Sequence, residues 1–126
     1  MSQGLVVFAK DVARVSAFYC ETLGLTAVDA DSTHHLLRGG GYVIVVHAIP
    51  AEIAATIHID RPPQPREDSA LKPTYVVEDL TAVRTAAVRT GGYLKPAEQA
   101  WHIRGCTVLD GWDPEGNIIQ FKQRDG

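Results

Sequence analysis

The segment Lys10–Leu25, "KDVARVSAFYCETLGL", decides the fold, because an altered copy of it returns as "VEDLTAVRTAAVRTGG" at residues 77–92. In the first copy Asp11 can cap a helix, its carboxylate accepting from free backbone N–H groups two or three residues on. Val12, Val15, Tyr19 and Leu23 then recur at helical spacing, and Gly24 is a natural stop. In the second copy Asp79 is the cap, Leu80, Val83 and Ala87 form one apolar face, and Gly91 and Gly92 end the helix. Asp11 matches Asp79, Val12 matches Leu80, Val15 matches Val83 and Gly24 matches Gly92, each 68 positions later.

The flanks repeat as well. Before the first helix stands "GLVVFA" at 4–9, an apolar run suited to a strand covered on both faces. After it come "LTAVDA", "HHLLR" and, past Gly39-Gly40-Gly41, "YVIVVHAI", read as three strands joined by tight turns. The second half offers "PTYVV", the helix, and then "YLK", "RGCTVL" and "NIIQFK" as three short strands. The predicted order is therefore strand, helix and three strands, twice over, which is the mark of internal duplication. Module 1 runs near 4–49, module 2 near 72–124, and the proline- and charge-rich stretch 50–71 reads as a linker.

A chain of 126 residues suits one compact domain. A net charge of −3 gives no basic footprint for nucleic acid or an anionic membrane. No stretch approaches the roughly 20 apolar residues of a membrane span, and the first residues lack a signal pattern. Cys20 and Cys106 sit among apolar neighbours without metal spacing. Cytoplasmic residence is the expectation.

"KDVARVSAFYCETLGL" and the ending "DPEGNIIQF" at 113–121 together resemble the vicinal oxygen chelate superfamily, which includes glyoxalase I, extradiol dioxygenases and bleomycin-resistance proteins. That resemblance implies an α+β fold of two βαβββ modules whose curved sheets form an open barrel around a cavity, commonly in a homodimer. In metal-dependent members four inward side chains, usually His and Glu, come from the first and last strands of each module. Carried onto this chain those places fall near Gly4, Val45, Lys72 and Gln120. Glycine and valine have no donor, lysine repels a divalent ion, and the neutral Gln120 amide is weaker than a carboxylate. No metal and no other cofactor is expected, and no catalytic constellation emerges.

Other residues suit the binding of a small organic ligand. His47 lies two residues after Val45, on the same strand face. Trp101 and Arg104, in "AWHIRG", resemble a family segment in which an aromatic wall and a cation flank the ligand, although His102 replaces its glycine and Ala100 its proline. His34 and His35 are adjacent and must face opposite ways. His58 reads as half-exposed on a strand, and His102 as close to a cavity mouth. Phe8, Tyr19, Tyr42 and Tyr75 read as packing groups, and Trp112 as packing over a barrel end.

The expected function is a glyoxalase/bleomycin-resistance-like protein that binds a small organic molecule through His47, Lys72, Trp101, Arg104 and Gln120 in a metal-free cavity. One alternative is a metal-dependent lyase, isomerase or dioxygenase of the same superfamily, recruiting ligands such as His47 and His102. Another is a dimeric structural or regulatory protein whose cavity its own side chains fill.

Overall fold

The structure is a computed structural model that describes residues 3–126. In the first half β1 (Gln3–Ala9) leads into α1 (Val12–Leu23), followed by β2 (Thr26–Ala30), β3 (His34–Gly39) and β4 (Tyr42–Ala48). A four-residue helix, α2 (Ala51–Ala54), opens the connecting segment that the sequence reads as linker. The second half holds β5 (Thr74–Val77), α3 (Leu80–Arg89), β6 (Tyr93–Leu94), β7 (Trp101–Ile103), β8 (Cys106–Trp112) and β9 (Ile118–Arg124). The N-terminal sheet has the order β1-β4-β3-β2; the C-terminal sheet has β5-β9-β8-β6, with β7 also on β8. In both, the first strand runs parallel to the last, and the remaining pairs are antiparallel.

Local chemistry explains the helices. Asp11 accepts from Arg14 N–H at 3.1 Å and Asp79 from Thr81 N–H at 2.9 Å, so each carboxylate satisfies an orphan donor of its first turn. Val12, Val15, Phe18 and Tyr19 bury one face of α1, and Val83, Ala86 and Ala87 one face of α3. Gly24 closes α1 in the left-handed conformation (φ 69°), and the left-handed glycine after α3 is Gly91 (φ 91°), not Gly92. The repeat has therefore slipped by one residue at the end of its second helix.

Two strand expectations need correction. The first three-residue strand after α3 shrinks to Tyr93–Leu94 and resumes only at Trp101, giving nine strands among the described residues instead of eight. Pro96 and a single 3₁₀ turn at Ala97–Gln99 interrupt that edge, since proline has no N–H for the ladder. The strand expected to start at Arg104 starts at Cys106, because Arg104 (φ 49°) and Gly105 (φ 74°) are the two central residues of the β7–β8 hairpin turn.

α1 and α3 pack against each other and against the same side of their sheets. Val7, Ala9, Leu37, Ile44 and Val46 join Val15, Phe18, Tyr19, Val83, Leu109, Ile119 and Phe121 in one core. The opposite side of each sheet, the open face, is covered by neither α1 nor α3. Phe8 on it is 57% exposed, where the sequence suggests packing on both faces of β1. Among the described residues neither sheet closes into a barrel. No helix among the described residues is long and apolar enough to cross a membrane.

Candidate functional site

Strand register assigns side chains to the open faces. In the C-terminal sheet Thr74 pairs with Gln120, Gln120 with Asp110, Lys122 with Val108, and Val108 with Trp101. Cross-strand partners share a face, and so do alternate residues of one strand. Asp110, Val108, Trp101, Gln120, Lys122 and Thr74 therefore lie together, opposite the helix side defined by Leu109 and Phe121. Lys72, just before β5, reaches this group: its Nζ donates to Asp110 Oδ2 at 2.8 Å and stands 6.0 Å from the Trp101 ring centre.

The polar contacts here are specific. Thr74 Oγ1 donates to Gln120 Oε1 at 2.8 Å, which fixes the amide carbonyl and leaves the NH₂ group turned to other partners. The Asp110 side chain is 12% exposed and the Lys72 side chain 42%, so the carboxylate lies beneath and the ammonium above. Asp110 Oδ1 is buried with no partner, leaving Lys72 as the one neutralising contact of that carboxylate among the described residues. Trp101 is 39% exposed and so lies outside the core, while its neighbour Val108 is fully buried.

The other two residues proposed from the sequence lie elsewhere. His47 is on the open face of the N-terminal sheet, where it meets Phe8 at 5.6 Å and stacks on His34 at 6.3 Å between ring centres. It lines a separate cleft of about 600 Å³ with Lys10, Thr33 and Pro50. Its Nδ1 lies 2.8 Å from Ala48 O and donates to that carbonyl. Arg104 occupies the hairpin turn at the edge of the other sheet. His102 pairs with Thr107, on the face opposite Trp101; its Nδ1 lies 3.2 Å from Thr107 Oγ1, which donates to Asp125. The cavity-mouth placement of His102 does not hold. His58 is in no strand, and its Nε2 is 2.7 Å from Asp60. Tyr42 and Tyr75 stack on each other at 4.9 Å, and Trp112 packs on Tyr93 at 4.7 Å.

Concavities follow these divisions. A cleft of about 400 Å³ between β1 and β5 is lined by Gly4, Leu5, Tyr42, Leu71, Lys72 and Thr74. A groove of about 1050 Å³ runs along β5 beside the end of α1, lined by Glu21–Gly24 and Thr74–Asp79, and includes none of the five proposed residues. Thr74 lines both of these hollows, and Lys72 only the smaller one.

The metal places of the superfamily can be tested on this register. Val6 is the partner of Val45, and Thr74 that of Gln120, so the first-strand places lie two residues beyond Gly4 and Lys72, on the same faces. Gly4 itself is excluded as a side-chain position, since a Cβ there would lie 2.2 Å from Val43 O. Two valines, a mutually bonded Thr–Gln pair and a neighbouring ammonium do not fit a divalent cation. Among the described residues no three His, Cys, Asp or Glu side chains form a metal-binding group.

The "DPEGN" turn has a structural task that the sequence reading missed. Asp113, fully buried, accepts from Tyr19 Oη at 2.7 Å, Asn117 Nδ2 at 2.8 Å, Glu115 N at 2.8 Å and Asn117 N at 3.1 Å. The Glu115 carboxylate accepts from Lys10 N at 2.9 Å and Asp11 N at 2.8 Å. Burial pushes the Asp113 carboxyl up, and burial beside Asp113 pushes the Tyr19 phenol up. Both acids of the motif bind module 2 to α1, Glu115 at its start and Asp113 at Tyr19 within it. The signal was present in the pairing of this turn with the Phe18-Tyr19 segment, but it required knowing that the two ends meet.

No protein-family model matches the sequence, and no curated protein matches it. Solved structures do match. A glyoxalase/bleomycin resistance protein/dioxygenase family enzyme from Burkholderia phytofirmans PsJN superposes with a TM-score of 0.70 at 17% identity, covering 97% of both chains. A glyoxalase/bleomycin resistance protein from Albidiferax ferrireducens T118 gives 0.65 at 19% identity, also over 97% of each chain. The fosfomycin resistance protein FosX from Mesorhizobium loti gives 0.66 at 10% identity, over 98% of this chain and 90% of that one. With two α+β modules, parallel outer pairs and these structural neighbours, the chain has the glyoxalase/bleomycin resistance fold.

Proposed function

We propose that this protein holds a small organic molecule, without a bound metal, against the open face of its C-terminal sheet, and that a second copy of the chain closes the site. One observation carries the reading: Lys72, Gln120 and Trp101 gather around the buried Asp110 on one strand face. Ligand sites pair an apolar surface with a few placed polar groups, and this face supplies an indole, an ammonium and an amide. The donor set at the superfamily's metal places supports binding without a Lewis acid. The uncovered apolar residues of β1 and β5 support closure by a partner, since a monomer gains nothing from leaving them in water.

The test combines two measurements on purified protein. Elemental analysis without chelator should find no stoichiometric zinc, nickel, iron or manganese. A thermal-shift screen of small organic molecules should find ligands that raise the melting temperature, and those shifts should shrink in Trp101→Ala. A ligand at about 100 times its Kd adds about 2.7 kcal/mol of stability, well within reach of the assay. One tightly held transition metal per chain would overturn the metal-free reading, and a screen without a single hit would favour a structural dimer.

A further inference from the structure

The superfamily's metal places and the Lys72 cluster occupy the same strand face, and that coincidence has chemical content. A divalent ion at such a place would present positive charge to ligand oxygens. Here Thr74 and Gln120 stand at the C-terminal pair of places, and Lys72 is two residues before Thr74 on that face. We infer that the Lys72 ammonium, fixed by Asp110, takes the electrostatic part of the absent cation and selects an aromatic carboxylate as ligand. This rests on the binding site proposed above and specifies what it takes.

Three features of the geometry support it. First, the order of depth is favourable: the carboxylate lies beneath and the half-exposed ammonium above, so an arriving ligand meets donors. Second, Asp110 holds Lys72 firmly, because its other oxygen is buried without a partner and its charge has Lys72 as its one contact among the described residues. An ammonium has three donors, of which this contact uses one. Third, Gln120 adds amide N–H groups next to it, its carbonyl being taken by Thr74. Trp101, its ring centre 6.0 Å from Nζ, offers an aromatic surface at one ring's distance from those donors. Because Asp110 offsets part of the charge, the preference for an anion is expected to be modest.

Benzoate, benzyl alcohol and benzylammonium carry the same ring with an anionic, a neutral and a cationic head. Each is titrated into the full chain and followed at the Trp101 indole N–H cross-peak by two-dimensional NMR. Benzoate should bind at least about threefold more tightly than benzyl alcohol, with benzylammonium weakest; such a ratio is under 1 kcal/mol. Lys72→Arg should keep this order. Lys72→Met alone would strand a buried carboxylate and endanger folding, so the informative variant is Lys72→Met with Asp110→Asn, which should abolish the preference while ring binding persists. Equal or tighter binding of benzylammonium, or a preference that survives in the double variant, would overturn the inference while leaving the binding face intact. Silence from all three probes, in a protein that some other small molecule stabilises through Trp101, would likewise reject the inference and spare the reading beneath it.

Discussion

Asp113 is fully buried and yet carries a carboxyl that four donors surround. Those bonds favour its charge, but desolvation outweighs them and raises its folded-state value above the ordinary carboxylate range. The folded chain thus holds this proton more tightly than the unfolded chain. The contribution of the group to stability is complete below about pH 4 and is lost as pH rises through the raised folded value. Subtracting the urea-denaturation stability of Asp113→Asn from that of the parent should isolate a term that falls with rising pH in that window; a flat or rising difference would refute it. Tyr19→Phe removes one bond to the same carboxylate and should cost about 1.5–3 kcal/mol, the range for hydrogen bonds to charged groups. Its far-ultraviolet circular dichroism should stay unchanged, as the ring still fills the core.

The β7–β8 hairpin carries its own cost. Type I′ turns need positive φ at both central residues, which suits Asn-Gly. Here Arg104 sits at φ 49° before Gly105. A left-handed conformation costs a residue with a Cβ about 1–2 kcal/mol, less for asparagine. Arg104→Asn should therefore stabilise the protein by about 0.5–1 kcal/mol, read as a higher urea midpoint at constant slope. If Arg104 also holds ligand, the same variant will lose thermal-shift response to the ligands found in the screen, so one substitution separates turn from site. The neighbouring edge is equally instructive. A helix-sized repeat was readable because its 3.6-residue period survives substitution, whereas the interruption at Pro96 was not, because two- and three-residue strands have too few positions to show a period.

At the scale of the molecule, the open faces pose a problem of area. Val6, Phe8 and Val76 are 53%, 57% and 64% exposed, on two strands that meet the helix core with their other sides. Burying such surface stabilises by about 25 cal/mol per Å². A second copy covering these faces is the expected remedy, by an isologous contact that brings each N-terminal open face toward the partner. Sedimentation equilibrium should show a dimer, and Phe8→Asp should shift it to monomer while leaving the helix core and secondary structure in place. A parent protein that is monomeric at high concentration would defeat this, and the open face would then need another cover.

The duplication and both helices with their aspartate caps were legible from the sequence, because each depends on local periodicity or capping that one chain segment states alone, whereas the parallel pairing of first and last strands came only with the fold. Of the residues in the proposed site, Lys72, Gln120 and Trp101 were named from sequence, but Asp110, which holds Lys72, was not: in "CTVLDGW" it reads as one more strand residue. Thr74 was passed over, and its value lies in a bond to a residue on another strand. Tertiary structure alone set His47 beside Phe8 and His34 and Trp101 beside Val108, and turned the acids of "DPEGN" inward to α1. Periodicity is a property of neighbours along the chain, whereas register, depth and the meeting of distant ends depend on how whole sheets pack.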